Sequence, residues 1–305
     1  MPRKTKNGKT KVAMMKNNLA FAFSGMILVT ALALTACSEE ETLPPEKTNQ
    51  IVIEYVYPTK PAHQQIHDFM MERHTLESLQ ELLSPFRLRW PLKLSVEECD
   101  GEADAMYDDD KIIICYEYIE ELRQNMPEEV TPSGIEPIDT VVGPFVDTVL
   151  HEFAHALFDY LDVPILGREE DAADQVAAYI YLNFGKDEAR RLIMGATYAY
   201  MLEVVDTDPP TMEEYADEQS TSEQRAFNLL CIAYGADPVL FGDVVKMGGL
   251  PDFRIDICEE EYELIAIAYE KLIGPHIDPD LAKKVFGRAW LPEKIFPMQD
   301  MNDPN

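Results

Sequence analysis

The sequence predicts an α+β fold, a small N-terminal antiparallel sheet packed on a mainly helical body. Two observations predict it. Short alternating, β-branched runs occur before about residue 117, and almost every apolar pattern after that point recurs at helical spacing. Strands first and helices afterward is the order of segregated layers.

The elements follow in chain order. Ile51 to Tyr57 alternates and reads as a strand. His63 to Leu83 carries Ile66, Phe69, Met70, Leu76, Leu79, Leu82 and Leu83 at helical spacing until Pro85 stops it. Leu92 to Glu98 and Lys111 to Tyr116 read as strands around the acidic turn Asp108-Asp109-Asp110. Phe145 to Leu161 is an amphipathic helix that offers Val149, Phe153, Ala156, Leu157 and Tyr160 to a core, with Pro164 beyond its end. Leu192 to Val205 reads as a core helix, and the register of Ile265, Ile267, Ala268 and Leu272 belongs to another.

Of 305 residues, 26 are basic and 56 acidic, a formal net charge of -30. Nucleic-acid binders need clustered cations for phosphate, so that class is excluded. The hydrophobic share of 46% supports a real core rather than a disordered acidic chain. The charge is unevenly distributed. Residues 1–36 hold six Lys and Arg and no acid, and they run into the apolar stretch Leu19 to Leu34, the order of an export signal. Leu34-Thr35-Ala36-Cys37 resembles a bacterial lipobox, which implies lipidation of Cys37 and a mature chain of 20 basic and 56 acidic residues, net -36. Residues 37–50 then read as an acidic tether, 51–295 as one domain and 296–305 as a tail. The expected location is the bacterial cell envelope, anchored by lipid and facing the periplasm or exterior. Ser38 after the cysteine resembles outer-membrane sorting in a Gram-negative host.

Four cysteines remain in a chain expected to leave the cytoplasm. An oxidising compartment favours disulfides, and the expected pairs are Cys99 with Cys115 and Cys231 with Cys258.

The chemistry is concentrated in His151-Glu152-Phe153-Ala154-His155. Four residues advance a helix slightly more than one turn, so both imidazoles project from one face and can share a zinc ion. In this motif the glutamate, here Glu152, is the general base. A third protein ligand is needed, and the next helix offers Glu169, Glu170 and Asp171, with Asp174 four residues beyond Glu170. Glu170-x-x-Ala173-Asp174 resembles the ligand helix of gluzincin metallopeptidases. That resemblance implies a zincin-like fold, Glu170 as third ligand and Asp174 orienting His151 or His155.

A second resemblance lies upstream. Asp104-Ala105-Met106-Tyr107-Asp108 is similar to the edge-strand stretch of thermolysin-like enzymes, where substrate pairs through its main chain, which implies substrate-binding roles for Asp104 and Ala105. From about residue 55 to 275, the Cys99 to Glu117 and His151 to Gln175 segments and the run Glu223-Gln224-Arg225-Ala226-Phe227-Asn228 resemble an uncharacterised bacterial metallopeptidase family. A histidine often precedes that last run in the family; here Gln219 stands near its place. Tyr198, Tyr200 and Tyr215 are alternative donors to a tetrahedral oxyanion.

The expected function is a membrane-anchored, extracytoplasmic zinc metallopeptidase acting on peptide or protein substrate. The alternative is an inactive zinc-binding surface module. His63, His67, His74 and His276 are expected to be surface residues, and the acids from Asp100 to Asp110 a solvated turn, since they do not follow the calcium-loop order.

Overall fold

The computed structural model describes residues 50–206 and 210–291. The export segment, Cys37, the tether up to residue 49 and the tail 296–305 lie outside the described residues.

Strand β1 (Ile51–Tyr55) leads into helices α1 (Pro61–Glu72) and α2 (Thr75–Leu83), then β2 (Leu92–Glu97), β3 (Ala105–Asp108) and β4 (Lys111–Cys115). These four strands form one sheet in the order β1-β2-β4-β3. The expectation of an antiparallel sheet is corrected. β1 pairs parallel with β2 and β2 parallel with β4, and only the β3–β4 hairpin is antiparallel. The physical reason is the length of the β1–β2 connection, since a helical crossover returns the chain in the same direction. That crossover is also two helices rather than one. It breaks at Arg73 and His74, where His74 adopts a left-handed φ of 53°.

The helical body comprises α3 (Tyr116–Gln124), α4 (Asp139–Tyr160), α5 (Glu169–Leu182), α6 (Lys186–Asp206), α7 (Ser222–Ala236), α8 (Gly242–Lys246), α9 (Asp252–Leu272) and α10 (Pro279–Phe286). α4 starts six residues earlier than the sequence pattern indicated and continues through Pro144. The missing N–H of Pro144 costs one helical bond, and the Pro144 carbonyl accepts from the Tyr118 hydroxyl of α3 at 3.2 Å.

Small residues set the helix packing that positions the site. Gly143 of α4 faces Gly195 of α6, and a Cβ on Gly143 would stand 2.7 Å from the Gly195 Cα. The close crossing is locked by the buried Asp139 carboxylate, which accepts from Arg191 Nη2 at 2.6 Å and from its Nε at 3.0 Å. Ala154 and Ala156 of α4 and Ala173 and Ala177 of α5 are fully buried, so these two helices also pack closely. The core runs continuously from Leu92, Leu94 and Ile112 of the sheet through Phe153 and Leu157 of α4 to Ile180, Ile193 and Leu230.

Both expected disulfides are present, Cys99–Cys115 and Cys231–Cys258. The second ties α7 to α9 where Gly235 lies against the Cys258 backbone. Among the described residues, no helix is long and apolar enough to cross a membrane.

One expectation about a histidine fails. His63 is fully buried rather than on the surface. Its Nδ1 lies 2.9 Å from Glu98 and its Nε2 3.3 Å from Glu120, so both ring nitrogens are satisfied by carboxylates and burial is tolerated.

Candidate metal centre and cleft

α4 presents His151 and His155 one turn apart on a face covered by the start of α5. His151 Nδ1 is 2.7 Å from Asp174 Oδ1, and His155 Nδ1 is 3.0 Å from Glu169 Oε1. An ionised carboxylate only accepts, so each Nδ1 carries a proton and donates it. The two Nε2 atoms consequently face inward, 3.1 Å apart. Glu170 joins them, with Oε2 3.1 Å from His151 Nε2 and Oε1 3.5 Å from His155 Nε2. Metal–ligand bonds of ordinary length in a tetrahedral site give ligand–ligand separations of roughly 3.3–3.5 Å. The two nitrogens and the carboxylate therefore fit a shared cation, and His151, His155 and Glu170 form a group that can hold a metal ion.

The electrostatics agree with that fit. Burial opposes protonation of His151, yet Asp174 and Glu170 outweigh it and push the imidazole up to about 10. Hydrogen bonds from His151 and His155 hold Glu170 well below the usual carboxylate range. A pocket arranged in this way favours positive charge, whether a proton or a metal ion.

The rival acids fall elsewhere. Glu169 bonds the outer nitrogen of His155, and Asp171 accepts from the Ser220 hydroxyl at 2.6 Å. Asp174 settles on His151 rather than His155.

Glu152 is buried at the side of this cluster. Burial pushes its carboxyl up, opposed by His151, His155 and the nearby backbone N–H of Tyr107. That contact shows how β3 is aimed. Cys115 N donates to Asp104 O at 3.0 Å, so the two residues are a hydrogen-bonded pair of the β3–β4 ladder. Alternation then turns the peptide groups of Ala105 and Tyr107 to the outer edge, toward α4. Asp104 and Ala105 line one cleft with His151 and Glu152, a cavity of about 420 Å³. The Asp104 carboxylate accepts from the Ala105 N–H at 2.8 Å, so it fixes the start of its own strand.

Tyr198 and Tyr200 also line the cleft, whereas Tyr215 does not. Tyr200 is committed, since its hydroxyl donates to Asp147 at 2.6 Å. Gln219 reaches the candidate metal group, with Nε2 donating to Glu170 Oε2 at 3.3 Å.

Sequence reasoning missed two residues here. Arg225 grips Asp174 through Nε at 2.9 Å and Nη2 at 2.7 Å, and its guanidinium lies 4.5 Å from the Tyr200 ring centroid. Gln224 at the start of α7 accepts from the Thr221 N–H, which fixes the helix start and hence the direction of Arg225. Asp147, one turn before His151, is buried and accepts from Tyr181 and Tyr200; burial and the nearby Asp174 push its carboxyl up. Its four-residue spacing from His151 on α4 was the available signal.

A helix pair that gathers two imidazoles and a carboxylate beside a buried glutamate is a candidate metal site of hydrolytic type. A family model, DUF4344, described as "Putative metallopeptidase", matches residues 55–273, and the chain belongs to that family. No curated protein and no solved structure gives a significant match.

Proposed function

We propose that the protein is a zinc metallopeptidase of gluzincin type, in which His151, His155 and Glu170 hold the zinc and Glu152 is the general base. The observation that carries this reading is the convergence of three metal-ligating groups at 3.1–3.5 Å next to Glu152, in a chain of a metallopeptidase family. A zinc ion so held supplies Lewis acidity for a scissile carbonyl and an acidified water.

The chain's own groups do the rest. Asp174 accepts the Nδ1 proton of His151 and leaves its Nε2 lone pair free for metal, and Arg225 holds Asp174 in that position. Substrate main chain pairs with the outer edge of β3 at Ala105, so the backbone and not the Asp104 side chain recognises it. Glu152, against the Tyr107 N–H, takes a proton from the attacking water and returns it to the leaving amine. Tyr198 is the favoured oxyanion donor of the three tyrosines, because it lines the cleft and Tyr200 is already bonded to Asp147.

The domain, residues 51–295, is proposed to work at the cell envelope, tethered through lipid on Cys37 and a short acidic linker. An inactive zinc-binding module is the second reading, favoured by Gln219 near the place of a family histidine. Glu152→Gln decides between them. The variant should bind one zinc and cleave a peptide library at least about a hundredfold more slowly than wild type. Wild-type protein that binds zinc and cleaves nothing would establish the binding module; equal cleavage by the variant would remove Glu152 from the role of base.

A further inference from the structure

Helix α9 leaves one face uncovered among the described residues. Phe253, Ile257, Leu264 and Ile267 are 78%, 42%, 60% and 51% exposed. Their spacing places them at a and d positions of a heptad, with Glu260 and Lys271 in the two remaining seam positions. The opposite face is already used, since Cys258 and Tyr269 are buried against the body. Scattered apolar residues on a surface need no explanation, but four in register along about four turns form a seam of the kind a second helix can cover.

A groove of about 370 Å³ adjoins the seam. Val163, Ile165 and Leu166 of the α4–α5 connection and Ala268 and Leu272 of α9 line it, and Leu166 is fully exposed. Such a recess accepts an anchoring side chain beside a helix-in-groove contact.

One border of the seam identifies the occupant. Asp256, Glu259, Glu263 and Glu270 lie together along the flank away from the groove, with Glu260 in the seam beside them, and all five are exposed, against Lys271. A second copy would bring the same carboxylates against these, in a domain already strongly acidic, and like charges across an interface are repulsive. We infer that the outer face of α9 docks a cationic amphipathic helix of a partner protein, its apolar stripe on Phe253, Ile257, Leu264 and Ile267 and its Lys or Arg side chains on the acidic flank. The inference is independent of the metal site.

The test titrates the full chain with three labelled, amidated 18-residue peptides and follows fluorescence anisotropy. One is a Leu/Lys peptide of helical periodicity, one its Leu/Glu counterpart and one a scrambled Leu/Lys peptide of the same composition. The periodic Leu/Lys peptide should bind at least tenfold tighter than either control. The double variant Leu264→Ser, Ile267→Ser should lose that advantage, and Glu260→Gln with Glu263→Gln should weaken binding and flatten its salt dependence. All four positions are exposed, and a thermal melt of each variant verifies the fold. Equal binding by the scrambled peptide, or unchanged affinity in the serine variant, overturns the proposal. Concentration-dependent dimerisation by sedimentation that the serine variant abolishes would assign the face to a second copy and overturn it equally.

Discussion

Arg225 and Asp174 meet through two parallel hydrogen bonds of 2.9 and 2.7 Å, and Asp174 in turn holds His151 Nδ1 at 2.7 Å. The orientation of a proposed metal ligand therefore depends on an arginine 74 positions further along the chain, on a different helix.

Arg225→Ala should weaken zinc binding by about 10- to 100-fold, the usual effect of removing outer support from a ligating histidine. Arg225→Lys keeps a charge but not the planar fork and should fall between the two. Competition with a chromogenic chelator measures both; wild-type affinity in the alanine variant would show that Asp174 is held by other groups.

The two neighbouring glutamates of α5 should separate cleanly. Glu170→Ala removes the carboxylate that faces both Nε2 atoms and should abolish stoichiometric zinc. Glu169→Ala touches only the outer nitrogen of His155 and should keep one zinc per chain with affinity reduced by roughly tenfold. Metal analysis after gel filtration tells them apart, and the reverse pattern would make Glu169 the ligand.

Removal of a disulfide tests the scaffold. The chain-entropy model gives roughly 3.5 kcal/mol for Cys231–Cys258 and about 3 kcal/mol for Cys99–Cys115 from the lengths of the closed loops. Paired serine substitutions should lower the denaturation midpoint in that order, with the Cys231, Cys258 pair the larger. An unchanged urea midpoint for either pair would mean that its bond constrains nothing in the unfolded chain.

Acid stability should depend on Glu117. Burial pushes its carboxyl up, but Lys60 and the backbone N–H groups of Cys99 and Gly101 outweigh burial and hold it at about 2. A depressed folded value means that the contribution is complete above the unfolded value, about 4.3, and is lost as pH falls toward 2. Glu117→Gln should therefore lower the melting temperature at pH 7 and reduce the further fall between pH 4.5 and 2.5. Parallel pH curves for the two proteins would show that Glu117 does not contribute.

Much of this was legible in the sequence because it rests on local periodicity. His151, Glu152 and His155 share a helix, Glu170 and Asp174 share the next, and spacing alone places the two histidines on one face and the two carboxylates on another. The sheet was less legible. Parallel pairing of β1, β2 and β4 is a consequence of chain direction after a crossover, which the alternation of Ile51 to Tyr55 does not encode. The role of Arg225, quoted only as part of a family-like run, was not legible for a related reason, since its partner is set by how α7 crosses α5, and Gln-Arg-x-x-Asn has no periodic or ligand signature. His63 was misplaced because burial of a histidine depends on two distant glutamates, Glu98 and Glu120, that no local pattern connects to it.

The Cys99–Cys115 bond closes a loop that contains both β3 and β4. Without it, β3 would keep its ladder to β4 and the bond from the Tyr107 hydroxyl to Asp159 of α4, and would lose only the covalent tie that holds the chain before it. The elements that carry His151, His155 and Glu170 lie outside that loop, so the bond braces one wall of the cleft, at Asp104 and Ala105, and leaves the candidate metal group to helix packing.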